Sequence, residues 1–357
     1  MSNKSVNKQG EERYENVFGD TFAMYTRKEM EEFIEPFRVR FDRNGLDARK
    51  IFAGKKCFDA GCGNGRGSLF MLMNGAAHVT SYDFSKKNIQ STRNFLKEFG
   101  YSDFDTMQGS LENIPFDDQE FDFVWCNGVI MHTEHPNECL KEISRILKTG
   151  GNSWLYIYGS GGVYWNIIYH FRKLLEDISI EQCIAALKLM RYETRYIAEF
   201  IDDWYATFLR TYTDKDLSAR LKALGFEDPE LLKYGMDYDT SHRRNTYLTN
   251  IEKDYVGEGD LRYLLSKKEH SVSEGSPLRE SEYGSDFKYP DTVTNVISPC
   301  FEKIQSLELS ALARVALAAH IQRELRLLLD AQKNFEIKEV LTLIESLIVQ
   351  ADIIKDL

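Results

Sequence analysis

What this chain of 357 residues lacks narrows the field first. Its six cysteines, Cys57, Cys62, Cys126, Cys139, Cys183 and Cys300, include no C-x-x-C pair. That spacing offers neither the paired thiolates of a zinc site nor the framework of a disulfide-bonded domain. Several lie in apolar runs, where a free thiol behaves as a small hydrophobe, so they are expected to be reduced and structural, with no metal bound. Positive charge is also short: 45 Lys and Arg against 56 Asp and Glu leave a formal net charge of -11. A protein built to grip phosphate backbones shows a basic balance or stripe, and here the basic residues occur only in short clusters such as His242-Arg243-Arg244. Nucleic acid is therefore a disfavoured partner. No apolar run approaches bilayer-spanning length, and Met1 to Asp20 carries no hydrophobic stretch of the secretory kind. The expectation is a cytoplasmic protein with no membrane partner.

The hydrophobic fraction of 43% and charged fraction of 28% suit a globular chain long enough for a full α/β core and an appendage. The opening segment, to about Gly19, is too polar to pack by itself and reads as mobile or as a lid. Met30, Phe33, Ile34, Phe37 and Phe41 then fall at helical spacing. From Lys55 onward, strands and helices alternate as a doubly wound fold requires. Strands are expected at 56–60, 78–83, 105–109, 121–127 and 153–158. Helices are expected between them, one with Ser85 as N-cap and one opening at Pro136.

After the fifth strand the alternation breaks. Gly159 to Gly162 is a glycine-rich turn, and 163–212 looks helical and aromatic. An insertion there is expected over the carboxyl ends of the strands, where open α/β sheets bind ligands. A helix over 214–224 and a last strand near 262–266 follow. Residues 270–299 read as a linker, and two amphipathic stretches beyond it imply a helical hairpin needing a partner surface. The expected architecture is an α/β, doubly wound, Rossmann-like seven-stranded sheet with a helical insertion after strand 5 and a C-terminal helical hairpin. Its parts are an N-terminal segment 1–50, a core 51–268 with the insertion at about 162–212, a linker 269–299, and the hairpin 300–357. The hairpin is the expected surface for a homodimer.

The chemistry is carried by Asp59-Ala60-Gly61-Cys62-Gly63-Asn64-Gly65. Glycines at 61, 63 and 65 permit a tight turn and close approach of the backbone to a ligand. Ahead of a helix, the same loop in a dinucleotide enzyme faces a pyrophosphate. Here an acid precedes the first glycine. It would repel a phosphate and suits a ligand bearing an ammonium and a sulfonium, such as S-adenosylmethionine. Asp83, at the end of the second strand, can accept both hydroxyl protons of a ribose.

The run from Phe58 to Gly65 resembles the first motif of class I S-adenosylmethionine-dependent methyltransferases, and within them the type 11 methyltransferase domain. The resemblance continues in Gly109-Ser110-Leu111-Glu112-Asn113-Ile114-Pro115-Phe116, in Phe121 to Val129, in His132-Thr133, and in Glu142 to Gly151. It covers roughly 52–158. It implies that Asp59 and the loop Gly61, Cys62, Gly63, Asn64 and Gly65 hold the methionine part. Asp83, followed by Phe84, would take the ribose, Ser110 and Leu111 would border the adenine, and Asn127 would lie beneath the cofactor. Two positions depart from the family: Ser110 where an aspartate is common, and Met131 where relatives carry the first histidine of a pair.

His132 has two readings, a general base or a group satisfying a buried backbone atom. His135 is expected at the surface. Tyr158, Tyr164, Trp165 and Trp204 invite a substrate-pocket reading, although aromatics at helical spacing are more often core. Asp202 and Asp203 are expected on a solvated helix face. The implied activity is methyl transfer to O, N or C of a small-molecule acceptor, such as a metabolite, a sugar or a natural-product intermediate. The rival readings are a catalytically silent cofactor-binding or scaffold protein on the same fold, and a nicotinamide-dependent oxidoreductase. The second rival would want G-x-G-x-x-G with a different lead-in.

Overall fold

The structure is a computed structural model of the chain. It describes residues 15–161, 164–232, 257–268, 277, 291–330 and 337–354. After a π-helical turn at Glu15–Gly19 and one α-turn at Asp20–Phe22 comes α1 (Arg27–Arg43), started by a capping box between Thr26 and Glu29. Next are α2 (Ala48–Phe52), β1 (Lys56–Ala60), α3 (Arg66–Met73), β2 (His78–Asp83), α4 (Lys86–Glu98), β3 (Phe104–Gln108), β4 (Phe121–Asn127), α5 (Pro136–Ile146) and β5 (Leu147–Tyr158). Ser85 caps α4 through its side chain, and Pro136 stands in the first turn of α5. The chain then leaves for α6 (Tyr164–Phe171), α7 (Ile180–Leu189) and α8 (Thr194–Tyr205) and returns as α9 (Asp214–Ala223) and β6 (Asp260–Ser266).

The sheet has the order β3-β2-β1-β4-β5-β6, with β1 to β5 parallel and β6 antiparallel to β5. Six strands are found among the described residues where seven are expected; residues 233–256 lie outside that set. β5 begins at Leu147, six residues before the expected start. The glycine pair Gly150-Gly151 bends the strand instead of ending it: Gly150 sits at φ +78, and the pairing with β4 shifts register between Phe121 and Phe123.

One face of the sheet explains why the long aromatic residues recur where they do. Trp125 on β4 and Trp154 on β5 are level in register, with ring planes 8° apart and centroids at 5.1 Å. Phe41 of α1 stacks on Trp154 at 5.4 Å, Phe37 meets Trp125 edge-on at 5.0 Å, and Phe52 of α2 meets Phe123 edge-on at 4.9 Å. Phe70 of α3 joins the same buried cluster. The regular spacing of apolar residues along α1 thus becomes a lid of rings over the β4–β5 pair. Each such side chain contributes about 1.5–3 kcal/mol by burial.

The described residues of Met1–Gly159, Thr207–Tyr247 and Asp260–Glu280 form one compact unit, and those of Ser160–Ala206, Leu248–Gly259 and Ser281–Leu357 form another. The second unit joins the helical insertion to α10 (Asp291–Gln305), α11 (Ala311–Asp330) and α12 (Ile337–Ile354). Among the described residues both helices expected in 300–357 are present, as α11 and α12, and a third, α10, precedes them and runs across the boundary expected at 299. Residues 269–276 and 278–290 of the expected linker lie outside the described set. Inside this unit the Trp204 indole donates to Gln322 Oε1 at 2.7 Å, and Gln322 Nε2 donates to Asp203 at 3.1 Å. Asp203 is buried, contrary to the solvated face expected of it. A carboxylate turned inward on α8 tolerates burial because α11 brings it a donor.

The aromatic lid makes a quantitative demand. Phe41→Ala should lower unfolding free energy by about 3–5 kcal/mol, read as a shift in urea midpoint at unchanged slope; a shift under about 1 kcal/mol would mean that the ring is not part of a closed core.

Candidate functional site

β1 and β2 end at one level, with Ala60 opposite Tyr82, so the chain leaving β1 turns over the end of β2. The amides of Gly61 and Cys62 both donate to the Tyr82 carbonyl, at 2.8 and 3.0 Å. Gly61, Gly63 and Gly65 lie at φ +73, +54 and +85. A Cβ on Gly61 would stand 2.6 Å from Val129, and one on Gly65 would stand 2.7 Å from Thr92. The loop therefore needs glycine for its dihedral angles and for lack of room. Gly65 is also the N-cap of α3.

Two carboxylates hold this turn. Asp83 Oδ2 accepts the Gly63 amide at 2.9 Å, while its Oδ1 accepts the Ser85 amide at 2.8 Å and Asn88 Nδ2 at 3.2 Å. Asp59 is buried beneath the loop, where Ser68 donates to its Oδ2 at 2.7 Å; the same hydroxyl lies 2.6 Å from Ser81. Burial raises the Asp59 carboxyl to about 7, opposed by the Ser68 hydrogen bond and reinforced by Asp83. Burial likewise pushes the Cys62 thiol well up; its sulfur lies 3.6 Å from Thr92 Oγ1. All six cysteines are buried.

Asn64 is buried in the loop, and its Nδ2 has no hydrogen-bond partner among the described residues. A buried amide donor left unmatched costs about 1–3 kcal/mol unless something accepts from it. Phe84 follows Asp83 and is half-buried. Ser110 accepts the Glu112 amide on its hydroxyl, and its carbonyl takes the Tyr82 hydroxyl at 3.3 Å; Leu111 beside it is buried. Asn127 ends β4, and its Oδ1 accepts from the Trp154 indole at 3.0 Å and from Arg40 at 3.4 Å. Its oxygen thus ties the site to the tryptophan layer.

His132 is buried on a 3-10 turn, Ile130–His132, just after β4. Its Nδ1 lies 2.9 Å from the Phe208 carbonyl. A carbonyl only accepts, so Nδ1 carries the proton and, in the neutral ring, Nε2 is the basic nitrogen. Tyr158 meets the imidazole edge-on at 5.6 Å and Phe18 packs on it at 5.3 Å. His135 is exposed.

Asp59, the loop 61–65, Asp83, Phe84, Ser110, Leu111, Asn127, His132 and Tyr158 all lie in the α/β unit. Tyr164, Trp165 and Trp204 are buried residues of the helical unit. Sequence reasoning missed Phe18 and Phe22. Phe22 covers Gly63 so closely that a Cβ there would stand 2.9 Å from its ring, and Asp20 pairs with Lys87 of α4 at 2.6 Å. The signal was present in Val17, Phe18 and Phe22, three apolar residues in a polar opening. Thr92 was missed as well; its hydroxyl donates to the Gly63 carbonyl at 2.9 Å.

Residues 58–155 match the family described as a methyltransferase domain. The chain is 29% identical over 101 residues to a sarcosine/dimethylglycine N-methyltransferase of Aphanothece halophytica, covering 28% of this chain and 36% of that protein. It is 31% identical over 102 residues to a tRNA U34 carboxymethyltransferase of Campylobacter curvus, covering 29% of this chain and 34% of that protein. The chain thus spans little more than a third of either relative's length. Among solved structures, the complex of the Haloferax volcanii Trm112 methyltransferase activator with a methyltransferase aligns over 71% of this chain and 98% of that one, at 17% identity and a TM-score of 0.46. The stretch that carries the glycine loop, 58–155, thus matches a methyltransferase domain, and the methyl donor this implies is S-adenosylmethionine.

The raised Asp59 carboxyl has a pH signature. Its folded pKa of about 7 lies above the ordinary value of 3.8, so the folded state holds a proton that the unfolded state has released between those limits. Its contribution to stability is full below the lower value and is lost as pH rises toward 7. Relative to Asp59→Asn, the native chain should therefore lose stability between pH 4 and pH 7 and run parallel to the variant above pH 8, in urea midpoints measured across that range. Parallel curves throughout would show that Asp59 titrates normally.

Proposed function

We propose that the chain transfers a methyl group from S-adenosylmethionine to O, N or C of a small-molecule acceptor. The observation that carries this reading is the left-handed glycine loop at the end of β1, tied through the Gly63 amide to Asp83 at the end of β2. The buried Asn64 donor, with no hydrogen-bond partner among the described residues, gives the loop an unmatched group that a bound ligand would satisfy. Asp59 and Gly61 to Gly65 would hold the methionine part, Asp83 the ribose hydroxyls, and Ser110 and Leu111 the adenine.

S-adenosylmethionine supplies a methyl group on an already activated leaving group. The protein's own task is to place the acceptor in line and to exclude water. Phe22 over Gly63 and Phe18 over His132 supply apolar cover on the side of the loop. His132, with its proton held at Nδ1 by the Phe208 carbonyl, has the tautomer a general base requires: Nε2 takes the proton that an O–H or ammonium acceptor must lose. The two relatives act, by their names, on an amine and on a tRNA base. A net charge of -11 favours a small acceptor over a polynucleotide here.

Titration calorimetry with S-adenosylhomocysteine should show binding that Asp83→Ala weakens by tenfold or more, a loss of about 1.4 kcal/mol. Absence of binding by the native chain would remove the reading, and unchanged affinity in the variant would remove the ribose assignment. In an acceptor panel read by S-adenosylhomocysteine release, His132→Asn should abolish turnover of O–H and N–H acceptors while leaving cofactor affinity unchanged.

A further inference from the structure

The segment between α8 and β6 returns to the α/β unit at residues 207–212, and it does so directly against the turn that carries His132. Tyr212 donates its amide to the Tyr158 carbonyl at 3.0 Å, and Gly159 and Tyr212 form a bridge. Two residues earlier, Arg210 makes a denser set of contacts. Its amide donates to the Met131 carbonyl at 3.2 Å. Its guanidinium donates to the Thr133 carbonyl and, at 3.3 Å, to that of Glu134. The same guanidinium lies 4.4 Å from the centre of the Phe208 ring. Arg210 therefore grips the backbone on both sides of His132 while resting on the residue whose carbonyl receives the imidazole proton.

We propose that Arg210 is a positioning residue for His132: by fastening 131–134 to 207–212 it keeps the Phe208 carbonyl on Nδ1 and so fixes Nε2 as the proton-accepting nitrogen. The physical reason is geometric. A neutral imidazole has two tautomers, and which one is populated is set by the hydrogen bond the other nitrogen makes. That bond here joins two loops. A 2.9 Å contact between two loops persists only while their separation is held. Arginine suits the task because its planar fork directs several N–H groups to separate carbonyls. A lysine ammonium is a single point on a flexible stem.

The inference rests on the proposed role of His132, yet its test does not need an acceptor. Nitrogen-15 NMR of the histidine-labelled full chain reads the tautomer directly; the chain has seven histidines, and His132→Asn identifies the signal. In the native protein with neutral imidazole, His132 should show a protonated Nδ1 and an unprotonated Nε2. In Arg210→Ala that separation should collapse to averaged shifts, and Arg210→Lys should fall between. Should the alanine variant not fold, the native spectrum and the lysine variant decide the matter. A native His132 protonated at Nε2, or an unchanged tautomer in the variants, overturns the inference. The two proposals fail separately. Continued turnover by His132→Asn would remove the base role and leave the lock standing; an insensitive tautomer would remove the lock and leave the base role standing.

Discussion

A backbone amide at Gly63 and a carboxylate at Asp83 meet at 2.9 Å because β1 and β2 finish level with one another. Everything at the site follows from that meeting. The carboxylate fixes the middle of the glycine loop, and the Tyr82 carbonyl fixes its start through two amides. Thr92 of α4 then holds the Gly63 carbonyl from the other side. With the loop fixed at these points, α3 must start at Gly65. Its Ser68 then reaches down to the buried Asp59. Polar groups buried in such a network are costly singly and stable together, since each satisfies the next.

The tryptophan pair beneath gives this network a floor. Asn127 links the two levels: it ends β4, and its oxygen takes the Trp154 indole proton. The rings of α1 that stack on Trp154 are thus tied, through its indole, to the side chain at the carboxyl end of β4.

Most of the α/β unit was legible before any coordinates. β1, β2 and β4 occupy the residues expected of them, because each is a short segment rich in β-branched, aromatic or other apolar residues set between turn and cap signals. The early start of β5 was not legible, since Gly150-Gly151 signals a stop unless a register shift against β4 is known. Helix α10 was masked by Pro299 within it, a residue that ordinarily argues against a helix interior. The glycine loop was read from its local spacing together with Asp83 and the family resemblance that runs on to residue 151. Phe18, Phe22 and Arg210 were not, because their partners, His132, Gly63 and the carbonyls of 133 and 134, are brought to them by the fold and leave no mark in their own neighbourhoods.

The bridge between Gly159 and Tyr212 has a consequence for the length of the insertion. The chain departs from the sheet at one residue and comes back hydrogen-bonded beside it, so the excursion between them is stapled at its base. The entropy cost of closing such an excursion grows only slowly with its length, so the length can vary at little cost while every strand keeps its partner. Such a junction behaves as a socket: the helices of 164–205 join the sheet at one place, after β5, and the glycine loop joins it at another, after β1.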